Sequence, residues 1–405
     1  MAGLQNIQLP LLNSVRNAMI IQVDYRFPPG VNAEKQAKVI AIGQTVGSWD
    51  DRFSHREDSF QHYLAQVIGV VVHDSGHSTA TVEFPVANTE GDIGSLLTMI
   101  FGKFSMAGAA KVTNIRLPEN YSQMPTIGLS GIRNRLNVYD RPLVMAIFKP
   151  ALGLTADDHA GILRDVAAAG LDIIKDDEIL GNLEIAPTID RLKACREVIL
   201  ETKETTGKEL LYAINVTGRA HEILDNAKRL VANGANALLF NTLTYGWSVL
   251  ESLAQDSEIN VPIFMHPALA GAMCGAPDHG FNYSTILGTL AAHAGADAVL
   301  YPAHYGSLPF EKSEEMAIRD ALRSRNVFPV PSAGIHPGVV SRAIADYGND
   351  VILNAGTGIM DHPSNPAAGV TAFFEALERV NKNQSFSIEE VPDSALKIAL
   401  QKWMV

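Results

Sequence analysis

The stretch MAIFKPALGLTADDHAGILRDVAAAGLDIIK, residues 145–175, contains one full repeat of the pattern that decides the fold. An apolar run ending in a lysine is followed by an Ala-rich amphipathic segment, a glycine and a second apolar run ending in a lysine. Short apolar runs that alternate with helical patterns are typical of buried parallel strands in βα units. Gly170 is the kind of residue that ends a helix just before the next strand.

The same pattern recurs along the chain from about residue 141 onward. The apolar runs are MAIFK (145–149), LDIIK (171–175), LYAIN (211–215), ALLFN (237–241), PIFMH (262–266), DAVLY (297–301), FPVPS (328–332) and VILNA (351–355). Eight βα units are the number that closes a (β/α)8 barrel. We therefore predict an α/β fold in which a (β/α)8 TIM barrel occupies residues 136–382 and a helical tail occupies residues 383–405.

The N-terminal third of the chain follows a different order of elements. Strands are predicted at 18–27, 65–74, 78–86 and 111–118, and helices at 32–44 and 93–103. The order β-α-β-β-α-β is that of a ferredoxin-like α+β domain. The sequence thus predicts a ferredoxin-like domain over residues 1–135, ahead of the barrel.

Composition and charge exclude several classes of protein. Hydrophobic residues make up 47% of the 405 residues and charged residues 19%, which excludes disorder as a description of the whole chain. The net charge of -12 argues against nucleic acid as a partner, because nucleic-acid binding needs a basic surface. No apolar run reaches the roughly 18 residues of a membrane span, so no membrane partner is expected. With two cysteines and no secretory signal in the first residues, we expect a cytoplasmic protein.

Charged and polar residues follow the predicted strands, at the ends where a (β/α)8 barrel carries its active site. The strongest feature is IIKDDEI (173–179), in which a lysine and three acids follow an apolar strand. Clustered carboxylates suit a hard cation such as Mg2+, although a solvated acidic loop at a helix N-terminus is the alternative. The ammonium group of Lys175 would repel a cation, so something must neutralise it. Further polar strand ends are Lys149, Asn215, Asn241, His266 and Ser332.

These motifs resemble those of the RuBisCO large-chain superfamily, and most closely its RuBisCO-like (type IV) members. KDDE (175–178) resembles the motif in which CO2 carbamylates the lysine, which then binds the metal beside an aspartate and a glutamate. The segments TVGSW (45–49), FKPALGL (148–154), PSAGIHPG (331–338) and GTGIMDHP (356–363) match further family motifs. The resemblance therefore covers nearly the whole chain.

The resemblance implies two cofactors, Mg2+ and CO2 bound as a lysine carbamate, and it also implies roles for particular residues. Carbamylated Lys175, Asp177 and Glu178 would be the metal ligands. Lys103, in MIFGKFS, would be a general base that reaches into the neighbouring subunit's site, although most lysines of this kind are surface residues. That role requires a homodimer or larger assembly with the active site at the subunit interface. Lys149 would hold an oxyanion or deliver a proton, unless it merely extends from the barrel rim.

The remaining candidates would contact a phosphorylated small-molecule substrate. His266 would contact a substrate hydroxyl, although a histidine at a strand end is often only hydrogen-bonded within the protein. His304 stands where the enolase relatives have proline, which makes it a candidate for substrate specificity. Glycine backbones let N–H groups approach an anion closely, although short glycine segments are also common turns. The candidates for such a phosphate cradle are Ser332, Gly334, Gly356, Thr357 and Gly358.

The sequence also departs from that of the true carboxylases. The second lysine of the first-strand motif is replaced by Ala151, and the arginine that follows the fifth-strand histidine is replaced by Pro267. The loop PAHYGSLPFEKS (302–313) has no lysine in register with the one that polarises CO2. These departures argue against carboxylation and leave the chemistry of a metal-stabilised enolate.

Two enolate chemistries fit these residues, a decarboxylase and a tautomerase. His304 and Thr357 are polar where the enolase relatives have proline and glycine, and polar groups suit a hydroxylated carboxylate better than a methylthio group. We therefore expect decarboxylation of 3-oxo-isoapionate 4-phosphate. The alternatives are the enolase (tautomerase) of methionine salvage, which acts on a methylthio diketone phosphate, and a non-catalytic binding module with the same fold.

Overall fold

The structure is a computed structural model that describes residues 20–48, 50–119, 121–122 and 127–404. Trp49, the last residue of the TVGSW motif, lies outside the described residues, as does the segment 1–19 in which no secretory signal is expected. The chain divides into two compact units, Met1–Tyr121 with Ala276–Phe281, and Ser122–Gly275 with Asn282–Val405. The predicted domain boundaries, at 135 and 382, stay predictions, because compact units need not coincide with domains.

The strands found in the described residues are β1 (Ile20–Phe27), β2 (Gln66–Val72), β3 (Ser78–Pro85), β4 (Lys111–Arg116), β5 (Leu143–Ile147), β6 (Ile173–Lys175), β7 (Leu211–Asn215), β8 (Ala237–Phe240), β9 (Ile263–Met265), β10 (Gly280–Phe281), β11 (Ala298–Pro302), β12 (Phe328–Ser332) and β13 (Ile352–Ala355).

The α-helices of the same residues are α1 (Ala33–Gly43), α2 (Glu57–Tyr63), α3 (Ile93–Leu97), α4 (Gly128–Leu136), α5 (Ala156–Ala168), α6 (Thr188–Thr206), α7 (Ala220–Ala232), α8 (Thr242–Tyr245), α9 (Trp247–Gln255), α10 (Ala270–Cys274), α11 (Ala291–His293), α12 (Lys312–Arg323), α13 (Val340–Tyr347), α14 (Thr357–Met360), α15 (Pro366–Asn381) and α16 (Ala395–Trp403). Short π-helical segments occur at Thr98–Gly102 and Ser284–Leu290, and 3-10 turns at Asp51–Arg56, Val86–Asn88, Lys103–Met106 and Pro337–Val339.

The first unit contains a sheet with the strand order β10-β4-β1-β3-β2. Strand β1 pairs antiparallel with both β3 and β4, and the short β10 pairs parallel with β4. Along β1 buried residues alternate with half-buried ones, which is the pattern of a sheet that packs one face on a core. The order β4-β1-β3-β2 confirms the ferredoxin-like arrangement, to which β10 adds a strand that the sequence pattern did not predict.

The second unit is built on eight parallel strands in the order β12-β11-β9-β8-β7-β6-β5-β13, counted over the described residues. The end strands β12 and β13 contact each other, so the sheet curls into a nearly closed barrel. Each of the eight predicted apolar runs overlaps one of these strands. The predicted α/β class, a (β/α)8 barrel preceded by a ferredoxin-like domain, is therefore confirmed.

The strands of the barrel are buried on both faces, which explains why they read as unbroken apolar runs. Every residue of β7 and β8 is buried, and so is every residue of β6, including its terminal lysine. An interior cluster that includes Met145, Leu239, Phe264 and Leu300 fills the barrel, each at 1% exposure or less. Because the interior is packed with apolar side chains, polar groups gather at the two edges of the sheet.

Two further predictions concern elements near the ends of the chain. The predicted helix 93–103 is interrupted, since α3 passes into the π-helical segment and Lys103 begins a 3-10 turn. The helix predicted in the C-terminal tail is present as α16, and it belongs to the second compact unit. In the described residues, we find no helix with the length and apolarity needed to cross a membrane.

Candidate active site

The polar residues predicted at strand ends meet at the carboxyl edge of the barrel in the second unit. Nζ of Lys149, just beyond β5, lies 2.6 Å from Oδ2 of Asp177. Nζ of Lys175, the last residue of β6, lies 3.7 Å from Oε2 of Glu178. Nε2 of His266, just beyond β9, lies 3.3 Å from the same Glu178 oxygen. The structure thus brings five candidates from three strands into one cluster.

Lys175 is the most deeply buried charged residue of this cluster. Its side chain is 1% exposed, and Nζ donates a hydrogen bond to the carbonyl oxygen of Asp176 at 2.9 Å. Burial lowers the pKa of Lys175, and the negative charges of Glu178 and Asp177 oppose this effect only in part. A lysine with a lowered pKa is more often a neutral amine, which is the form that can attack CO2.

Asp177 is held as a carboxylate by its neighbours. Burial raises the pKa of Asp177. Hydrogen bonds from Lys149 and from the backbone N–H of Ile179, together with the positive charge of Lys175, lower it by more, so the pKa lies below its ordinary value. The side chain is 4% exposed, so its charge lies in a low-dielectric environment. Asp177 therefore presents an anionic oxygen beside Lys175.

His266 is a neutral hydrogen-bond donor in this arrangement. Burial lowers the pKa of His266 to about 3, and the charge of Lys175 adds to the effect. The backbone N–H of Ala268 lies 3.2 Å from Nδ1, so Nδ1 accepts and the ring proton is assigned to Nε2. The proton on Nε2 faces Glu178, so His266 can orient that carboxylate or an oxygen of a ligand beside it.

The oxygen atoms of this cluster could serve as ligands of Mg2+ if Lys175 carries a carbamate. In the part of the chain that the structure describes, no three His, Cys, Asp or Glu side chains gather into a metal site. Asp177 and Glu178 supply two carboxylates, and a carbamate on Lys175 would supply the third anionic oxygen group. Mg2+ prefers hard oxygen ligands of this kind and keeps its other positions for water or substrate.

Asp176, the second acid of the KDDE motif, is used differently from its neighbours. Its carboxylate accepts hydrogen bonds from Tyr212 Oη at 2.6 Å, Arg191 Nη2 at 2.9 Å and the backbone N–H of Asn215 at 2.9 Å. Arg191 and Tyr212 were not predicted, because Arg191 lies in the first turn of α6 and Tyr212 lies in an apolar run. The one sign in the sequence is an arginine in the first turn of a helix that is followed by a strand containing a tyrosine.

Two amide side chains hold the loop that follows the KDDE motif. Nδ2 of Asn215 donates to the carbonyl oxygens of Glu178 at 3.1 Å and Leu180 at 3.0 Å, and Nδ2 of Asn241 donates to Glu178 at 3.0 Å. The amide Oδ1 atoms of both residues are buried without a hydrogen-bond partner in the described chain. Buried acceptors left without a donor are uncommon, and here they lie beside a cluster suited to a ligand.

The residues of the predicted phosphate cradle come from two neighbouring loops that approach very closely. A Cβ atom on Gly334, whose φ is +92°, would lie 2.6 Å from the backbone nitrogen of Ser307. A Cβ on Gly358 would lie 2.1 Å from the carbonyl oxygen of Ile335. Ser332 Oγ donates to Val330 at 3.1 Å and accepts from Nδ2 of Asn354 at 2.9 Å. Gly356 and Thr357 lie at the start of α14, and Thr357 is exposed.

His304 lies in the loop after β11, and its ring is engaged within the protein. Nδ1 of His304 lies 2.6 Å from Oε2 of Glu315 on α12, and the His304 backbone N–H donates to the same oxygen at 2.5 Å. Nε2 lies 3.9 Å from Oδ2 of Asp346. A buried glutamate thus accounts for a polar residue at position 304 without any substrate contact, which removes one reason for expecting a decarboxylase.

Lys103 lies in the first unit, exposed at the start of a 3-10 turn. Its Nζ lies 4.0 Å from the position that a Cβ on Gly43 would take, so the absence of a side chain at Gly43 leaves space beside it. The predicted reach of Lys103 into a neighbouring subunit concerns a second copy of the chain and stays a prediction.

Comparison with known proteins identifies relatives that span nearly the full chain. The model of the ribulose bisphosphate carboxylase large chain, catalytic domain, matches residues 128–325 and 317–403. A protein of Microcystis aeruginosa named 2,3-diketo-5-methylthiopentyl-1-phosphate enolase is 63% identical over 385 residues, covering 95% of this chain and 100% of that protein.

Solved structures show the same likeness. A rubisco-like protein from Alicyclobacillus acidocaldarius, known from a crystal structure, is 37% identical in sequence to this chain and superposes on it with a TM-score of 0.87. The match covers 95% of this chain and 100% of that protein's chain. An octameric ribulose-1,5-bisphosphate carboxylase/oxygenase from Pyrococcus horikoshii is 27% identical, with a TM-score of 0.86 and coverage of 95% and 93%.

Proposed function

The chain belongs to the RuBisCO large-chain family, as a RuBisCO-like (type IV) member, and we propose that it is a 2,3-diketo-5-methylthiopentyl-1-phosphate enolase. The observation that carries the proposal is the near full-length likeness to a relative of that name. The likeness favours the enolase, the alternative at the level of sequence, over the decarboxylation of 3-oxo-isoapionate 4-phosphate. The contacts of His304 with Glu315 support the same choice.

We infer that the enzyme uses Mg2+, held by carbamylated Lys175 with Asp177 and Glu178. Support comes from the buried amine of Lys175, whose pKa is lowered, and from the two carboxylates that flank it. When bound, Mg2+ would supply positive charge next to the oxygens of an enolate. The lysine carbamate would also remove the buried positive charge that makes this cluster unsuited to a cation.

The chain's own residues would divide the proton transfer between them. Lys103 of a neighbouring subunit would take the proton from the carbon next to the ketone, as a general base. Lys149, fixed against Asp177 at 2.6 Å, would stabilise the oxyanion or return a proton to the ketone oxygen. His266, neutral and protonated on Nε2, would donate a hydrogen bond to a substrate oxygen.

The phosphate of the substrate would lie at the cradle on the β12 and β13 loops. Backbone N–H groups of glycine-rich segments bind anions because no side chain blocks their approach. We propose that His304 affects specificity by fixing the loop after β11, since its ring is already engaged by Glu315. The cradle residues are Ser332, Gly334, Gly356, Thr357 and Gly358.

We propose that the protein is a homodimer or a larger assembly with its active site at the subunit interface. The proposal follows from the role of Lys103, which needs a second copy of the chain. A solved relative from Pyrococcus horikoshii is described as octameric, which supports assembly in this family.

The proposal is tested by NMR of two substrates in D2O, with Mg2+ and bicarbonate present. We expect 2,3-diketo-5-methylthiopentyl-1-phosphate to be enolised, with exchange of the proton next to its ketone, and 3-oxo-isoapionate 4-phosphate to release no CO2. CO2 release from the second compound with no turnover of the first would refute the proposed enolase activity and support the decarboxylase activity instead.

A further inference from the structure

We propose that a cluster of three buried residues holds the metal ligands Lys175 and Asp177 in position. This cluster, called the anchor cluster, consists of Asp176, Arg191 and Tyr212. The inference rests on the proposed function, because it concerns how the proposed Mg2+ ligands are held. Residue 176 is thereby a positioning residue and not a ligand, although it lies between two ligands in the sequence.

The alternation of side chains along an extended segment separates the two roles. Strand β6 ends at Lys175, and the backbone pairing continues one residue further, where the N–H of Asp176 donates to the Ala213 carbonyl. Because successive side chains of an extended chain point to opposite sides, we expect Asp176 to face away from Lys175. The contacts agree with this, because Asp177 pairs with Lys149 whereas Asp176 contacts Arg191 and Tyr212. One motif of consecutive charged residues thus serves two separate polar clusters.

The anchor cluster is buried and closed. Asp176 and Arg191 are fully buried, and Tyr212 is 1% exposed. Beyond its bond to Asp176, Arg191 donates from Nε to Tyr212 Oη at 3.2 Å and from Nη1 to the carbonyl oxygen of Ala186 at 2.5 Å. A buried network whose members satisfy one another is rigid, because any displacement leaves a polar group without a partner.

This rigidity is transmitted to the main chain that carries the ligands. The backbone N–H of Phe148 donates to the Lys175 carbonyl at 3.1 Å, and the N–H of Asp176 donates to Ala213 at 3.1 Å. The Asp176 carboxylate adds a third attachment, at the N–H of Asn215 on β7. A rotation of the main chain that redirected Lys175 or Asp177 would break these buried hydrogen bonds.

Asp172 provides a matched control at the opposite end of β6. Its carboxylate is also buried, accepts two hydrogen bonds from Arg141 at 2.6 and 2.7 Å, and accepts one from the backbone N–H of Val144 at 2.9 Å. Asp172 and Asp176 therefore make the same kinds of contact from positions just before and just after β6. Only Asp176 is adjacent to the proposed ligands.

The test compares full-length Asp176→Asn, Tyr212→Phe and Asp172→Asn with the unaltered protein. Mg2+ affinity is measured by calorimetry in bicarbonate, the symmetry of the site by EPR of bound Mn2+, and stability by thermal unfolding. We expect Asp176→Asn to weaken Mg2+ binding by about 10-fold to 100-fold, because losing a group that orients metal ligands typically costs this much affinity. The Mn2+ spectrum of this variant should also broaden. Tyr212→Phe should show a smaller loss, and Asp172→Asn should lose stability while binding Mg2+ normally.

Two results would overturn the inference and leave the proposed function intact. Normal Mg2+ affinity in both Asp176→Asn and Tyr212→Phe would show that the anchor cluster does not aim the ligands. Equal losses of affinity in Asp172→Asn and Asp176→Asn would show a general effect of stability. If Asp176→Asn does not fold, Tyr212→Phe decides alone. Failure of the unaltered protein to bind Mg2+ in bicarbonate would instead refute the proposed function, and the inference with it.

Discussion

Both edges of the barrel carry buried polar groups, and the carboxylates Asp172 and Asp297 at the amino edge are more completely paired than the groups around Lys175 at the carboxyl edge. At the amino edge, Asp297 accepts backbone N–H bonds from Gly128 at 2.6 Å, Ile263 at 2.8 Å and Ile127 at 3.2 Å. Asp172 there is paired with Arg141 and with a backbone N–H. Every carboxylate oxygen of these two residues has a hydrogen-bond donor within the protein.

At the carboxyl edge, polar groups are left without partners. Oδ1 of Asn215, Asn241 and Asn354 and Oγ1 of Thr242 are buried without a hydrogen bond in the described residues. Lys175 is buried among acids but donates one hydrogen bond, to a carbonyl. Unsatisfied buried groups destabilise a fold unless a ligand pairs with them. The difference supports the proposal that the carboxyl edge binds the substrate, which is also where (β/α)8 barrels carry their active sites.

Lys175→Ala should produce the largest effect on activity and little effect on the fold. The change removes the carbamate site and a buried amine whose charge burial disfavours, so enolase turnover should fall by about 1,000-fold or more while the melting temperature stays the same or rises. Turnover and thermal unfolding measured on one preparation check both parts. Substantial turnover in this variant would contradict the assignment of Lys175.

Asp172→Ala should show the opposite pattern at the amino edge. It leaves the Arg141 guanidinium and the N–H of Val144 without their acceptor, so the free energy of unfolding should fall by about 3–5 kcal/mol. The turnover number of the folded variant should match that of the unaltered protein. Denaturant unfolding and steady-state kinetics test this, and a lost turnover number with intact stability would remove the distinction between the edges.

Asp297 should give the smallest effect, as a dependence of stability on pH. Burial raises the pKa of Asp297 from 3.8 to about 6, although the backbone N–H bonds oppose the rise. Because the folded pKa lies above the unfolded one, the folded state takes up the proton first. The residue's stabilising contribution is full below about pH 4 and is lost as the pH rises through 6, by about 3 kcal/mol at most.

The measurement compares the unaltered protein with Asp297→Asn by urea unfolding between pH 4 and 7.5. The stability of the unaltered protein relative to the variant should increase as the pH falls from 7 toward 4. A difference that does not change with pH, or that shrinks at low pH, would show that the three N–H donors keep Asp297 ionised.

Much of this architecture could be predicted because its physical cause is local. Strands buried on both faces give apolar runs, and strand ends at a barrel's carboxyl edge give the charged residues that follow them. Lys149, Lys175, Asp177, Glu178 and His266 were predicted in this way, and the structure brings them together.

What could not be predicted depends on contacts between side chains of different structural elements. The partner of Asp176 is Arg191 on the following helix, and the partner of His304 is Glu315. Neither pairing leaves a periodic pattern in the sequence. The polar residue at position 304 suggested a polar substrate, whereas in the structure its side chain is paired with Glu315 of the same chain. The domain boundaries and the role of Lys103 likewise depend on more than local sequence.

The most direct test of the account is 13C NMR of the protein in 13C-bicarbonate, with and without Mg2+, and of Lys175→Ala under the same conditions. The account predicts a carbamate resonance in the unaltered protein that Mg2+ strengthens and that is missing from the variant. The absence of this resonance from the unaltered protein with Mg2+, or its persistence in Lys175→Ala, would contradict the claim that the carboxyl edge is organised around a carbamylated lysine.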